Sequence, residues 1–269
     1  MPFFAKRDGF VIQLALFDID GTLYDEQTHC FPASAVLGLE ELKRRAIRTV
    51  VATGRIASAR ETLAGVGIYP DAMVCVNGHV LIDGAGAVLD QVNFPLPLAR
   101  EVEVACREAG IGLIWKYWDC AWVCLDVPAF SELMQIPGKK IYSDSQRPCP
   151  NRAPNGGYLA CNLSQQAWFN RRFQGRCRCI DINGKSADLL LWNVNKKTGV
   201  ASLLQRWEIP PETCIAFGDN RNDIELISYV GIGVAMGNAE AELKACADYI
   251  TGSAGKDGIY NGLQHFGLI

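Results

Sequence analysis

Apolar residues in this chain fall into short runs whose spacing alternates between strand-like and helix-like, broken by glycine and polar stretches. "FVIQLALFDID" is apolar and β-branched until Gly21 and predicts a strand. In "SAVLGLEELKRR", Val36, Leu37, Leu39 and Leu42 recur at helical spacing with charges between them. "AIRTVVATGR" predicts a second strand, "SARETLAGVGI" a second helix and "AMVCVNG" a third strand. The last third repeats the rhythm. "VASLLQRWEI" predicts an amphipathic helix, "TCIAFGD" a buried strand and "NDIELISYV" a helix; "GIGVAMGNA" follows as strand and turn, then "AEAELKACA" as a closing helix before "DYIT". Strands alternating with helices imply a parallel sheet covered by helices on both faces, so the predicted class is α/β with a Rossmann-like core.

Between these blocks the texture changes. "IGLIWKYWDCAWVCLDVP" and "QRPCPNRAPNGG" are rich in aromatics and prolines and show no βαβ rhythm. This stretch reads as an inserted α+β domain at 85–185, with the core formed by 1–84 and 186–269. Trp115, Tyr117, Trp118 and Trp122 read as the interior of the insert's own sheet, because alternate residues of a strand share a face.

Composition narrows the class. The 269 residues are 49% hydrophobic and 20% charged, ordinary for a globular protein and far from a disordered one. A formal net charge of −3 offers nucleic acid and membranes no bulk attraction, so neither is expected as a partner. No apolar run reaches the roughly 18–20 residues that span a bilayer, and "MPFFAKRDGF" lacks the long apolar segment of a secretory signal. The expected location is the cytoplasm, and the expected state a monomer or small homo-oligomer. The 11 cysteines sit mostly in apolar surroundings, and Cys120/Cys124 and Cys177/Cys179 lack the spacing of a zinc knuckle. They read as reduced structural thiols.

The chemistry gathers at strand ends, where parallel α/β sheets bind ligands. The first strand ends in Asp18 and Asp20, the second in Thr53 and Gly54, and a late one in Gly218 and Asp219, followed by Asn222 and Asp223. Residues two apart on an extended chain point the same way, so Asp18 and Asp20 can face one cavity. Carboxylates so placed repel: two unit charges 4 Å apart cost about 4 kcal/mol at an effective dielectric of 20. A hard divalent ion with oxygen ligands, Mg²⁺ by preference, resolves the repulsion, and Mg²⁺ commonly shares its shell with substrate phosphate. Asp, Asn, Gly and Thr are also turn formers, which accounts for "TGR" taken alone. It does not account for "DIDGT", "TGR" and "GDNRND" in this order.

These motifs resemble the haloacid dehalogenase superfamily of phosphatases, in particular its Cof-like group with a large cap. Asp18-Ile19-Asp20-Gly21-Thr22 matches the first motif, Thr53-Gly54-Arg55 the second, Lys196 the third and Gly218-Asp219-Asn220-Arg221-Asn222-Asp223 the fourth. "GVAMGNA" and "GKDGIY" are similar to that group as well. The resemblance implies that Asp18 attacks phosphorus and that Asp20 is the general acid and base. It implies a Mg²⁺ ion held by the Asp18 side chain, the Asp20 backbone carbonyl and Asp219. Thr53, Gly54, Lys196 and Asn222 would hold the phosphoryl group, and Asp223 would orient the metal waters and Lys196. In "VNKKTG" the phosphate-binding lysine is either Lys196 or Lys197.

Only 35 residues separate Asp18 from Thr53, too few for a cap, whereas 141 separate Arg55 from Lys196. The cap is therefore expected between the second and third motifs, closing over the site. The resulting expectation is a Mg²⁺-dependent phosphatase acting on a small phosphorylated metabolite such as a sugar phosphate. Two rivals stand beside it: a sugar phosphomutase on the same core, and a non-catalytic phospholigand sensor. The second has no use for a nucleophile paired with an acid.

Overall fold

The computed structural model describes residues 6–7, 10–131, 140–143 and 149–269; the opening "MPFFA" and the start of "QRPCPNRAPNGG" lie outside these. The larger of its sheets has eight strands. In spatial order they are Tyr249–Ile250, Ile232–Ala235, Cys214–Gly218, Leu14–Phe17, Arg48–Ala52, Ala72–Cys75, Val80–Asp83 and Val88–Gln91. The first six pair in parallel and the last two add antiparallel. Leu14–Phe17 lies inside this sheet, and all four of its residues are buried. Each fully buried Leu or Phe side chain stabilises the fold by about 1.5–3 kcal/mol. That is the physical reason a short apolar run takes an inner place.

Helices Ala33–Arg44, Ala59–Gly65, Lys196–Trp207 and Ala241–Cys246 pack on this sheet, as the periodicity predicts. "NDIELISYV" yields less helix than expected, a single turn at Ile224–Ile227 after a 3₁₀ turn at Arg221–Asp223. A helix at Gly258–His265 was not expected. Its entry, "GKDG", carries only a likeness to the family, and Asp257 sits there in the left-handed region at φ 57°. Ile259 and Leu263 of this helix nevertheless fill the larger core.

The second sheet has six strands in the order Ile141–Tyr142, Ala121–Leu125, Gly112–Lys116, Gly156–Ala160, Ser186–Leu191 and Cys177–Asp181. All its pairings are antiparallel except the one at Ile141–Tyr142. With helices Leu96–Glu108 and Leu163–Arg172 it encloses a separate core that includes Trp115, Tyr117, Trp122, Phe169 and Phe173. Trp118 departs from the expectation: it packs on the larger core instead, and its carbonyl accepts the Ala57 N–H at 3.0 Å.

Strand pairing moves the changeover between the two halves. Val88–Gln91 belongs to the larger sheet and Ser186–Leu191 to the smaller, so the chain crosses after Gln91 and again after Leu191, a few residues beyond the expected 84 and 185. "VLDQ" is half polar and largely exposed, so its own pattern does not mark it as a strand of the larger sheet, and the expectation put it in the insert. All 11 cysteines are free thiols. Burial pushes Cys75, Cys106 and Cys177 up to about 12, the behaviour of small hydrophobes. No helix among the described residues is long and apolar enough to cross a membrane.

Candidate active site

Asp18, Thr53 and Asp219 come together because the strands that precede them are neighbours, with Leu14–Phe17 lying between Arg48–Ala52 and Cys214–Gly218. The Asp18 N–H donates to the Phe217 carbonyl at 3.1 Å, carrying the strand pairing one residue further. The chain then turns at Gly21, φ +73°, where a Cβ would lie 2.1 Å from Asp219 Oδ2. Only glycine allows both that conformation and that approach. Thr22 Oγ1 donates to Asp219 Oδ1 at 2.9 Å, and Asn238 Nδ2 donates to the Gly21 carbonyl at 2.8 Å.

Lys196 opens the helix Lys196–Trp207, whose start is fixed by a capping box between Asn195 and Thr198. Its side chain is wholly buried, with Nζ 2.9 Å from Asp18 Oδ1 and 2.7 Å from Asp223 Oδ1. Lys197 points elsewhere, 5.0 Å above the Tyr229 ring. Of the two lysines, Lys196 is the one in the site. Asp223 has both oxygens engaged, Oδ1 by Lys196 and Oδ2 by the N–H groups of Asp219 and Asn220, each at 3.2 Å.

The electrostatics are those of a site with too much negative charge. Burial, reinforced by Asp223 and Asp20 against the opposing pull of Lys196, holds the Asp18 carboxyl up at about 7. Asp219 is held well above the usual carboxylate range by burial and then by Asp18 and Asp223, with Thr22 working the other way. Burial disfavours the Lys196 ammonium, but the two aspartates outweigh it and raise its pKa. Carboxylate oxygens of Asp18, Asp219 and Asp223 lie within 4.8 Å of one another. Hard oxygen donors carrying more negative than positive charge suit Mg²⁺. Since Asp223 is taken up by Lys196 and two backbone amides, Asp18 and Asp219 are the carboxylates that could hold such an ion.

The Asp20 side chain stands outside this cluster. Arg55 Nε donates to its Oδ2 at 2.8 Å, and a second guanidinium nitrogen donates to its Oδ1. Thr53 is buried; its carbonyl accepts the Asn77 N–H at 2.9 Å and its hydroxyl oxygen accepts the Arg55 N–H at 3.1 Å. Asn222 Nδ2 donates to Asn77 Oδ1 at 2.9 Å, while Asn222 Oδ1 is buried without a partner.

Five residues at or beside the site had no assigned role in the sequence: Arg55, Asn77, His79, Lys116 and Asp188. Val76, Asn77 and Gly78 all have positive φ, at 50°, 52° and 100°. Such strain costs of order 1–3 kcal/mol per non-glycine residue and marks a place held by its surroundings. The Asn-Gly pair was its visible signal, since both residues tolerate this conformation. Lys116 and Asp188 are the single charges in the largely buried apolar strands "GLIWK" and "SADLLL". His79 is buried; its Nδ1–H donates to the Val76 carbonyl at 2.9 Å and its Nε2 accepts the Leu191 N–H at 3.2 Å. Burial pushes it down to about 4, so it is neutral at pH 7.

Known proteins resemble this chain over most of its length. A family described as haloacid dehalogenase-like hydrolase matches residues 15–263. YkrA of Bacillus subtilis, provisionally named a phosphatase, is 40% identical over 279 residues, covering 96% of this chain and 98% of that one. A Streptococcus pyogenes protein, provisionally named a bifunctional phosphatase and peptidyl-prolyl cis-trans isomerase, is 27% identical over 96% of this chain, which spans 54% of its length. Among solved structures, a sugar phosphatase of haloacid dehalogenase subclass IIB superposes with a TM-score of 0.83 at 25% identity, covering 96% of this chain and 100% of that one.

Proposed function

The chain belongs to the haloacid dehalogenase-like hydrolases, and we propose that it is a Mg²⁺-dependent phosphatase whose substrate is a small phosphorylated metabolite such as a sugar phosphate. One observation carries the reading. Asp18 is buried between the Lys196 ammonium and the Asp219 carboxylate, an arrangement that serves an anionic nucleophile meeting an anionic substrate. The named likeness to phosphatases, one of them a sugar phosphatase, supports the substrate class.

In the proposed reaction an Asp18 carboxylate oxygen attacks phosphorus. The ester P–O bond breaks, Asp20 gives its proton to the departing oxygen, and an aspartyl-phosphate remains. Water then attacks the phosphorus, Asp20 takes its proton, and the P–O bond to Asp18 breaks to free phosphate and the carboxylate. Thr53, the Gly54 amide, Lys196 and Asn222 hold the phosphoryl oxygens, and Asp223 fixes Lys196. Bound at Asp18, Asp219 and the Asp20 carbonyl, Mg²⁺ would screen the nucleophile from the phosphoryl charge.

The smaller sheet is the cap in this reading. It reaches the larger half through Lys116 on the Gly54 carbonyl, Trp118 on Ala57, Lys140 on Glu61 and Arg178 on Glu225. Eleven free thiols suit a reducing compartment, and we assign the protein to the cytoplasm on that ground. The test is a panel of phosphate monoesters assayed for released phosphate with and without Mg²⁺. Release that requires the metal supports the reading. Phosphoryl transfer back to a sugar, or ligand binding without turnover, overturns it.

A further inference from the structure

Lys116 lies on the smaller sheet, yet its ammonium donates to the Gly54 carbonyl at 2.9 Å as well as to Asp188 Oδ1 at 2.6 Å. Asp188 is on the same sheet two strands away, and both side chains are largely buried. Asp188 Oδ2 accepts from Asn77 Nδ2 at 2.8 Å, and Asn77 Oδ1 accepts from Asn222 Nδ2 at 2.9 Å. An unbroken polar relay therefore runs from the smaller sheet, through a residue held at φ 52°, to the loop after Cys214–Gly218. It passes beside the phosphate loop, for a Cβ on Gly54 would lie 2.9 Å from Asp188 Oδ2 and 3.1 Å from Asn77 Nδ2.

We propose that Lys116, Asp188 and Asn77 are positioning residues, a latch through which the seated smaller sheet fixes Gly54 and Asn222 for the phosphoryl group. The proposal rests on the phosphate roles given above to those two residues. Its charge logic is specific. Lys116 and Asp188 cancel each other, so the latch brings no net charge to a site that receives an anion. Removing the ammonium alone leaves a buried carboxylate against the phosphate loop, a far worse state than removing both charges. Removing the carboxylate alone leaves an extra cation there.

Four proteins test this: wild type, Lys116→Met, Asp188→Asn and the double variant. Each is measured for orthophosphate binding by titration calorimetry and for kcat and KM on 4-nitrophenyl phosphate and a hexose 6-phosphate. Amide hydrogen exchange at residues 53–57 of the ligand-free protein is followed as well. Orthophosphate affinity should fall at least tenfold in Lys116→Met, recover severalfold in the double variant, and fall by less in Asp188→Asn, where the uncancelled cation offsets part of the lost positioning. The loss of kcat in Lys116→Met should be the same factor for both esters, and exchange at Gly54 and Arg55 should quicken. Equal impairment of Lys116→Met and the double variant overturns the latch. So does a loss confined to one ester, which would make Lys116 a reader of the leaving group. If wild type hydrolyses no ester of the wider panel, the phosphatase reading fails, while the exchange and orthophosphate-binding measurements still decide the latch. Should Lys116→Met not fold, unchanged exchange in Asp188→Asn overturns it.

Discussion

Arg55 grips Asp20 with two nitrogens of its guanidinium, one on each carboxylate oxygen. The third residue of "TGR" is thereby joined to the third residue of "DID", and the side chain proposed as acid and base is held in one orientation. Lysine cannot reproduce this fork. Arg55→Lys and Arg55→Ala should therefore both lower kcat, by about 10- to 100-fold, with smaller effects on KM. The loss should be steepest for esters with poor leaving groups, as for Asp20→Asn. A rate series across leaving groups checks this; a uniform loss would separate Arg55 from proton transfer.

Asp18→Asn should abolish turnover and leave the fold intact. The change removes one of three crowded carboxylates, and Lys196 keeps its 2.7 Å partner Asp223. The thermal midpoint of the metal-free protein should therefore stay level or rise. Calorimetry beside a phosphate-release assay gives both answers, and surviving turnover would exclude Asp18 as nucleophile.

Mg²⁺ should stabilise the folded protein in the absence of any substrate. At a concentration 100 times its dissociation constant a ligand confined to the native state adds about 2.7 kcal/mol. A chelator should reverse the gain. Asp219→Asn should erase most of it while remaining folded, because Asp219 is one of the two carboxylates left to the ion once Asp223 is engaged. Melting curves with and without Mg²⁺ measure this.

Acid should weaken the fold through His79. Its folded pKa of about 4 lies below the unfolded value of 6.5, so the unfolded chain binds the extra proton. The contribution of this residue is intact above pH 6.5, falls as pH drops from 6.5 towards 4, and levels off below that. The full loss is about 3 kcal/mol, the gap between those two pKa values at about 1.4 kcal/mol per pH unit. His79→Gln can still donate and accept, and should flatten this part of the stability–pH curve. Urea melts of the two proteins between pH 7 and 4 give the difference.

The fold was legible wherever a short apolar run had to be a buried strand. Leu14–Phe17, Arg48–Ala52 and Cys214–Gly218 are such runs, and their polar ends named Asp18, Thr53, Gly54 and Asp219. Spacing also located the insert, though not its edges, because Val88–Gln91 shows its affiliation only through pairing with Val80–Asp83. Side-chain partners across long separations were out of reach. Nothing in "GLIWK" says that Lys116 meets residue 54, 62 positions earlier, nor does "NGH" say that His79 accepts from Leu191. Local pattern reports which face a residue takes, and only the assembled sheets report what it faces.

The place of Leu14–Phe17 in the larger sheet bears on how the protein is made. One neighbour, Arg48–Ala52, leaves the ribosome soon after it, but the other, Cys214–Gly218, is encoded some 200 residues later. At typical translation speeds that is a delay of about 10–40 s, during which a fully apolar strand has one open edge. Nascent chains stalled before Cys214 should accordingly be sticky, and should engage holdase chaperones until the last third arrives.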